Sequence, residues 1–290
     1  MKELFNGEKF CVCTHSDGDG VGSYIVLKKV FGDQLNWLAM TGLGKISQNI
    51  QKLAFKNSNI FVTDISPEQE QIDEIDSIFN QKMIIDHHET SKELNIPFKK
   101  IVNIKACATF LVYNYCTKQF NYEFTPEMKK FVRLINDYDM WINNDPDSIL
   151  LNNLYWDLGA YDFINRFKDG LINFRKGNPI YDKAVALQEK KKEEILAFPT
   201  WSIENQIRVV TAGTHISDIQ FYYPEPYLFI IRPKDQVSLR SGDKPLTDFF
   251  KLVNSKGMKG GGHSNAGGIK ADNGYTQMDL IELFYNFINK

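Results

Sequence analysis

The 290-residue chain carries 34 Lys or Arg against 36 Asp or Glu, a formal charge of −2, which excludes a basic nucleic-acid coat protein. Hydrophobic residues make up 43% and charged residues 24%, the composition of a folded chain rather than a disordered one, and the length suggests about two domains of roughly 100–200 residues each. No apolar run approaches the roughly 18 residues of a membrane span, and Met1 to Gly7 lacks the apolar stretch of a signal peptide, so a cytoplasmic protein with no membrane partner is expected.

The first third alternates β-rich runs with helical patterns. Phe10 to Thr14 reads as a strand, followed by a Gly-rich turn and a helix from Val21 to Phe31. Asn36 to Met40 is a second strand, leading to a helix near Lys45 to Ala54, and Asn59 to Thr63 is a third. Ser66-Pro67-Glu68-Gln69 then opens a helix with Ser at the N-cap and Pro at the first helical position, and Lys82 to Ile85 is a fourth strand. Strands separated by helices of this length predict βαβ units and a mostly parallel sheet. From Ala106 to Phe198 the pattern is mainly helical, with Thr125-Pro126-Glu127 starting one helix and a charged helix running from Tyr181 to Phe198. Beyond Pro199, Gln206 to Ala212 and Tyr227 to Arg232 are strand-like, Lys244 to Val253 and Thr276 to Asn289 are helical, and a Gly-rich stretch spans Gly257 to Gly268.

Cys11, Cys13, Cys107 and Cys116 contain no C-x-x-C pair, so neither a disulfide framework nor a zinc knuckle is expected, and all four read as core residues. At helical spacing Cys107 and Cys116 would fall on opposite faces. The acids and histidines, by contrast, collect at strand ends. The first strand runs into His15-Ser16-Asp17-Gly18-Asp19, the third into Asp64 and the fourth into Asp86-His87-His88. In a parallel sheet these ends share one edge, where the binding crevice lies. Carboxylates brought together there repel unless cations neutralise them, and carboxylate with imidazole suits Mn²⁺ or Mg²⁺ better than thiolate-bound zinc. A fourth cluster, Asn136-Asp137-Tyr138-Asp139, ends a helix with acids that oppose its dipole, and Asp137 is favoured over Asp139 as the site acid.

These pieces in this order resemble the DHH phosphoesterase superfamily with a C-terminal DHHA1 domain, the group that includes RecJ, the nanoRNases and cyclic-dinucleotide phosphodiesterases. The matching motifs are His15-Ser16-Asp17-Gly18-Asp19, Asp64, Asp86-His87-His88, Asn136 to Trp141, the strand Val237 to Ser241 and Gly260-Gly261-Gly262-His263. Only Ser16 separates His15 from Asp17 where many members have three residues, a spacing closer to the NrnB-type nanoRNases.

The resemblance implies an α/β fold, with a parallel-sheet DHH domain and helical extension over residues 1–185, a helical linker over 186–198 and a smaller α/β DHHA1 substrate-binding domain over 199–290. It implies two Mn²⁺ ions, with Mg²⁺ or Co²⁺ as substitutes, held by His15, Asp17, Asp19, Asp64, Asp86, His87 and Asp137, with Asp64 bridging. His88 and Asp64 would be catalytic, His88 as phosphate contact or proton donor. Ser238, Arg240, Gly260, Gly261, Gly262 and His263 would hold substrate, the glycines as an anion nest and Arg240 as a phosphate fork. The expected activity is hydrolysis of short oligonucleotides to nucleoside 5′-monophosphates in a cleft between the domains, by a monomer or homodimer. The alternatives are a cyclic-dinucleotide or 3′,5′-bisphosphate phosphoesterase and a RecJ-like single-strand exonuclease.

Overall fold

The computed structural model describes residues 7–42, 45–56, 58–242, 244–262 and 265–290. Contacts divide the chain into Met1–Gln188 and Glu189–Lys290. In the first unit, strands β1 (Phe10–His15), β2 (Leu35–Thr41), β3 (Asn59–Thr63), β4 (Gln81–Asp86) and β5 (Lys99–Val102) alternate with helices α1 (Gly18–Phe31), α2 (Ile46–Ala54), α3 (Gln69–Ile78) and α4 (Thr90–Glu93). All pair in parallel, in the order β2-β1-β3-β4-β5. The chain leaves β1 for β2 and returns on the other side of β1 as β3, so the carboxyl ends of β1 and β3 flank the switch point at which such sheets open a crevice.

Strands β1 and β3 are buried and largely apolar because both sheet faces are covered. Phe10, Val12 and Phe61 pack with Val21 and Ile25 of α1, while Cys11, Cys13, Ile60 and Val62 pack with Ile46 and Ile50 of α2. Helices α5 (Ala108–Phe120), α6 (Pro126–Asp139), α7 (Asp147–Leu158) and α8 (Ala160–Phe167) extend the first of these cores through Val112, Phe131, Leu151 and Phe163. All four cysteines are buried and free. Cys107 and Cys116 share one core because Cys107 is the N-cap of α5, outside the helical spacing used to separate them.

Several local expectations shift. The residues expected as a Gly-rich turn before Val21 are already helical, since Asp17 caps α1. The N-cap of α3 is Glu68 rather than Ser66, with a reciprocal capping box between Glu68 and Gln71. The edge strand β5 carries little strand signal in the sequence because it is short and exposes Lys99 and Lys100, which also protect it from further pairing.

Helix α9 (Pro179–Leu196) contributes Ala184 to the core of the first unit and Ile195 to the second. The second unit is a mixed sheet of β6 (Thr200–Ile203), β7 (Ile207–Thr211), β8 (Tyr227–Arg232), β9 (Gln236–Ser241), β10 (Lys259–Gly262) and β11 (Ala266–Lys270), ordered β10-β11-β9-β8-β7-β6. Helices α10 (Thr247–Ser255) and α11 (Gln277–Ile288) cover one face, packing Phe249, Phe250 and Phe284 onto Val237, Leu239 and Ile269. Part of the charged run on α9 pairs within this unit, Lys191 with Asp218 at 2.9 Å and Glu194 with His215 at 2.7 Å.

The Gly-rich stretch is not an open nest. Gly260, Gly261 and Gly262 lie in β10 opposite Ile269, Gly268 and Gly267. The Asn254 side chain also brackets Gly260, accepting from its N–H and donating to its carbonyl. A Cβ on Gly267 would strike the Phe250 ring and the Gly261 carbonyl, whereas one on Gly261 would meet nothing within 4 Å. Gly267→Ala is therefore expected to cost about 1–3 kcal/mol through overpacking, and Gly261→Ala to stay within about 0.5 kcal/mol. Denaturant titration of both variants checks this, and equal losses would contradict a packing role for the glycines.

Candidate metal centre

The ends of β1 and β3 are tied by Thr14 and Thr63, whose hydroxyls hydrogen-bond at 2.8 Å. His15 closes β1, and its Nδ1 lies 2.6 Å from Asp17 Oδ2. Asp17 caps α1, its Oδ1 accepting from the N–H groups of Asp19 at 3.1 Å and Gly20 at 3.0 Å. A Cβ on Gly20 would collide with the His15 carbonyl, so glycine lets the helix begin this close to the strand. The buried Asp19 carboxylate accepts from the N–H groups of Ala108 and Thr109, both at 2.7 Å, and so caps α5 from another helix. Asp64 follows β3 in the left-handed region with φ 56, a conformation Asp tolerates better than most residues and one that concentrates at functional sites.

These turns converge on Asp64. Its Oδ1 lies 3.2 Å from His87 Nε2 and its Oδ2 lies 4.0 Å from His15 Nδ1. His87 Nε2 also faces Asp139 Oδ2 at 3.6 Å and Asp19 Oδ2 at 3.8 Å. Among the described residues three groups with ion-binding spacing result: His15, Asp17 and Asp64; Asp19, His87 and Asp139; and Asp64, His87 and His88. Among the described residues the Oδ2 atoms of Asp64 and Asp139 are buried without a hydrogen-bond partner. Such oxygens, among neutralisable acids and imidazoles, are the donor set a hard divalent cation takes.

The electrostatics agree. Burial pushes the Asp64 carboxyl well above the usual carboxylate range, and the charges of Asp19, Asp17, Asp139 and Asp86 add to it. Burial raises Asp139 in the same way, helped by Asp19 and Asp17. For Asp17 burial is outweighed by the hydrogen bond and charge of His15, and the carboxyl sits low. Burial lowers His87, favouring the neutral imidazole that metals require, whereas the hydrogen bond to Asp86 raises His88.

Two expected ligands are placed elsewhere. Asp137 is turned into the following loop, where Oδ1 accepts from the Asn144 N–H at 3.1 Å and Oδ2 from the Asp145 N–H at 3.2 Å. The acid that reaches His87 is Asp139, and because Asp137 is also buried on α6, helical spacing alone does not separate the two. Asp86 is fully buried and holds His88 Nδ1 at 2.8 Å through Oδ1 while Oδ2 accepts from the Ser91 hydroxyl, so it orients a histidine rather than joining the three groups. Ser91 and Tyr155, whose hydroxyl donates to the Ser16 carbonyl at 2.7 Å, support the site but carry no recognisable sequence signal.

In the second unit, Ser238 is buried and accepts from Arg232 Nη1 at 3.4 Å, and Arg240 Nη1 donates to the Leu239 carbonyl at 2.9 Å. Gly260, Gly261 and Gly262 are strand residues, and His263 lies outside the described residues.

Residues 9–150 match the model of the DHH family, N-terminal domain, so the chain carries a DHH domain. The oligoribonuclease NrnB of Bacillus subtilis (strain 168) is 24% identical over 300 residues, covering 93% of this chain and 75% of that protein. The DHH domain of a protein from a family of ribosomal proteins matches the fold with a TM-score of 0.64 at 15% identity, over 99% of this chain and 88% of that one. RecJ from Thermus thermophilus in complex with Mn²⁺ gives 0.60 at 12% identity, over 99% of this chain and 53% of RecJ. Family, fold and acid cluster together define a metal-dependent phosphoesterase.

Asp139→Asn is expected to lower bound Mn²⁺ at least about tenfold in affinity, the scale of losing one charged partner. Asp137→Asn should keep its metal and lose about 1–3 kcal/mol of stability with the loop it caps. Equilibrium dialysis and thermal melts separate the two, and the reverse pattern would restore Asp137 to the site. A second expectation concerns Asp64 without metal. Its raised carboxyl means that the folded state binds the proton more tightly than the unfolded one. That contribution is complete below about pH 3.9 and is lost as pH rises through the folded value. Metal-free Asp64→Asn should therefore melt above metal-free wild type at pH 7.5, by roughly 2–4 °C per kcal/mol regained, with the gap closing toward pH 4. Mn²⁺ should raise the wild-type melting temperature and leave the variant nearly unmoved.

Proposed function

We propose that the chain hydrolyses phosphodiester bonds in short oligonucleotides, releasing nucleoside 5′-monophosphates with the help of two Mn²⁺ ions, for which Mg²⁺ or Co²⁺ can substitute. The observation that carries this reading is the splitting of the Asp64 carboxylate, one oxygen toward His15 and the other toward His87. In this reading His15, Asp17 and Asp64 would hold one ion and Asp19, His87 and Asp139 the other, with Asp64 as the acid placed to serve both. When bound, such a pair activates a water, polarises the phosphoryl oxygens and steadies the leaving oxygen of an in-line displacement.

The chain's own residues do the remaining work. The N–H groups of α1 and α5 keep Asp17 and Asp19 from turning away. Asp86 fixes the proton of His88 on Nδ1 and sustains its positive charge, so the imidazole offers Nε2 to a phosphate oxygen or passes a proton to the leaving oxygen. Arg240, Ser238 and His263 of the second unit are assigned to holding the phosphates of the substrate. The similarity to an oligoribonuclease over 93% of the chain supports the substrate class, and the slightly acidic overall charge favours short substrates over long strands.

The test is incubation of pure protein and Mn²⁺ with dinucleotides, 5-mers, 20-mers, cyclic dinucleotides and a 3′,5′-bisphosphate, with chromatography of the products. Fastest release of 5′-monophosphates from substrates of two to five nucleotides is expected, with loss of turnover in excess chelator. Preference for a cyclic dinucleotide or bisphosphate, or rates that climb with length to the 20-mer, would replace the reading with one of those phosphoesterases or with a RecJ-like exonuclease.

A further inference from the structure

Helix α7 of the first unit lies against the turn that carries Asp17. The Tyr155 hydroxyl donates to the Ser16 carbonyl at 2.7 Å, and Asn152 Oδ1 lies 3.8 Å from the point where a Cβ on Gly18 would stand. Burial, with the Asp17 charge adding to it, pushes the Tyr155 hydroxyl up to about 12. Asn152 and Tyr155 are three apart, so one side of α7 meets the segment from Ser16 to Gly18, next to the ion group of His15, Asp17 and Asp64.

One turn beyond Asn152 stands a tryptophan in water. Trp156 is 64% exposed and meets Tyr155 edge-to-face, with ring centroids 5.1 Å apart. Tyr155 is itself buried and held between the Ser16 carbonyl and the Phe163 ring, so the indole has a fixed support and an open remainder. An exposed Trp alone is ordinary surface. This one has a polar neighbour: Asn152 is half-buried and makes no hydrogen bond among the described residues. Asp157, the acid that follows, pairs with Lys183 at 2.5 Å. The stretch from Ser16 to Trp156 thus offers an uncharged amide and an open ring beside the acid cluster, a combination suited to the flat, neutral end of a nucleotide rather than to its phosphate.

We propose that Trp156 stacks on the base of the nucleotide whose phosphate lies at the acid cluster, and that the Asn152 amide hydrogen-bonds to the edge of that base. Stacking accepts every base because each has a π-face, and an amide that both donates and accepts meets different edges, so the platform fits chains of mixed sequence. The inference rests on the proposed nucleotide substrate but is read by binding, so each can fail without the other.

The experiment measures, by calorimetry on the full chain in Mn²⁺, the binding of adenosine 5′-monophosphate and of ribose 5-phosphate, which lacks the base. Wild type should prefer the adenosine compound. Trp156→Ala should weaken it by roughly 5- to 150-fold, the range for one base stacked on an aromatic ring, and leave ribose 5-phosphate, bound Mn²⁺ and the melting temperature unchanged. Trp156→Phe should keep most of the affinity, and Asn152→Ala should weaken the adenosine compound alone. Phe55→Ala serves as control, because Phe55 is 89% exposed at the end of α2, which runs back from the carboxyl edge of the sheet, and it should bind as wild type does. No preference for the base in wild type, an affinity unmoved by Trp156→Ala, or equal losses for ribose 5-phosphate or in Phe55→Ala would overturn the platform. Base-dependent binding that Trp156→Ala abolishes, without hydrolysis of any oligonucleotide, would support the platform and overturn the proposed activity instead.

Discussion

Several buried carboxylates crowd around Asp64, and the architecture of the first unit follows from holding them there against their repulsion. Like charges in a poorly solvated site push their own pKa values up and push one another apart. A loop-borne cluster would relax by turning outward. Here each acid is fixed by backbone at a strand end or a helix end, so the repulsion persists and becomes affinity for a divalent cation.

The acids divide by how much of their capacity is spent. Asp17 and Asp19 give oxygens to the N–H groups of α1 and α5, which both position them and offset charge through the positive ends of the helices. Asp64 and Asp139 keep a buried oxygen unspent. Asp86 is spent entirely on His88 and Ser91 and acts through the histidine. The switch-point order of the sheet makes this convergence possible, because His15 and Asp64 leave adjacent strands at the same edge.

The parallel sheet and the meeting of three motifs were legible because strand-to-acid transitions survive in the sequence as apolar runs ending in His or Asp. Choosing between Asp137 and Asp139 was less direct. Both sit at the end of α6, and the loop N–H groups reach Asp137 only because the chain turns at Trp141 and Asn143, both at positive φ, a conformation that Trp does not announce in the sequence. The glycines misled for a related reason. Glycine permits an open nest and a tight strand crossing alike, and the ring of Phe250 that decides between them sits on a helix, in contact only after the second unit folds.

The most direct test of the centre is anomalous scattering from crystals grown with Mn²⁺. A bridging Asp64 predicts two peaks, one on each side of its carboxylate, the first against His15 and Asp17 and the second against Asp19, His87 and Asp139. A single peak remote from Asp64, or density coordinated by Asp137 with Asp139 turned away, would contradict it.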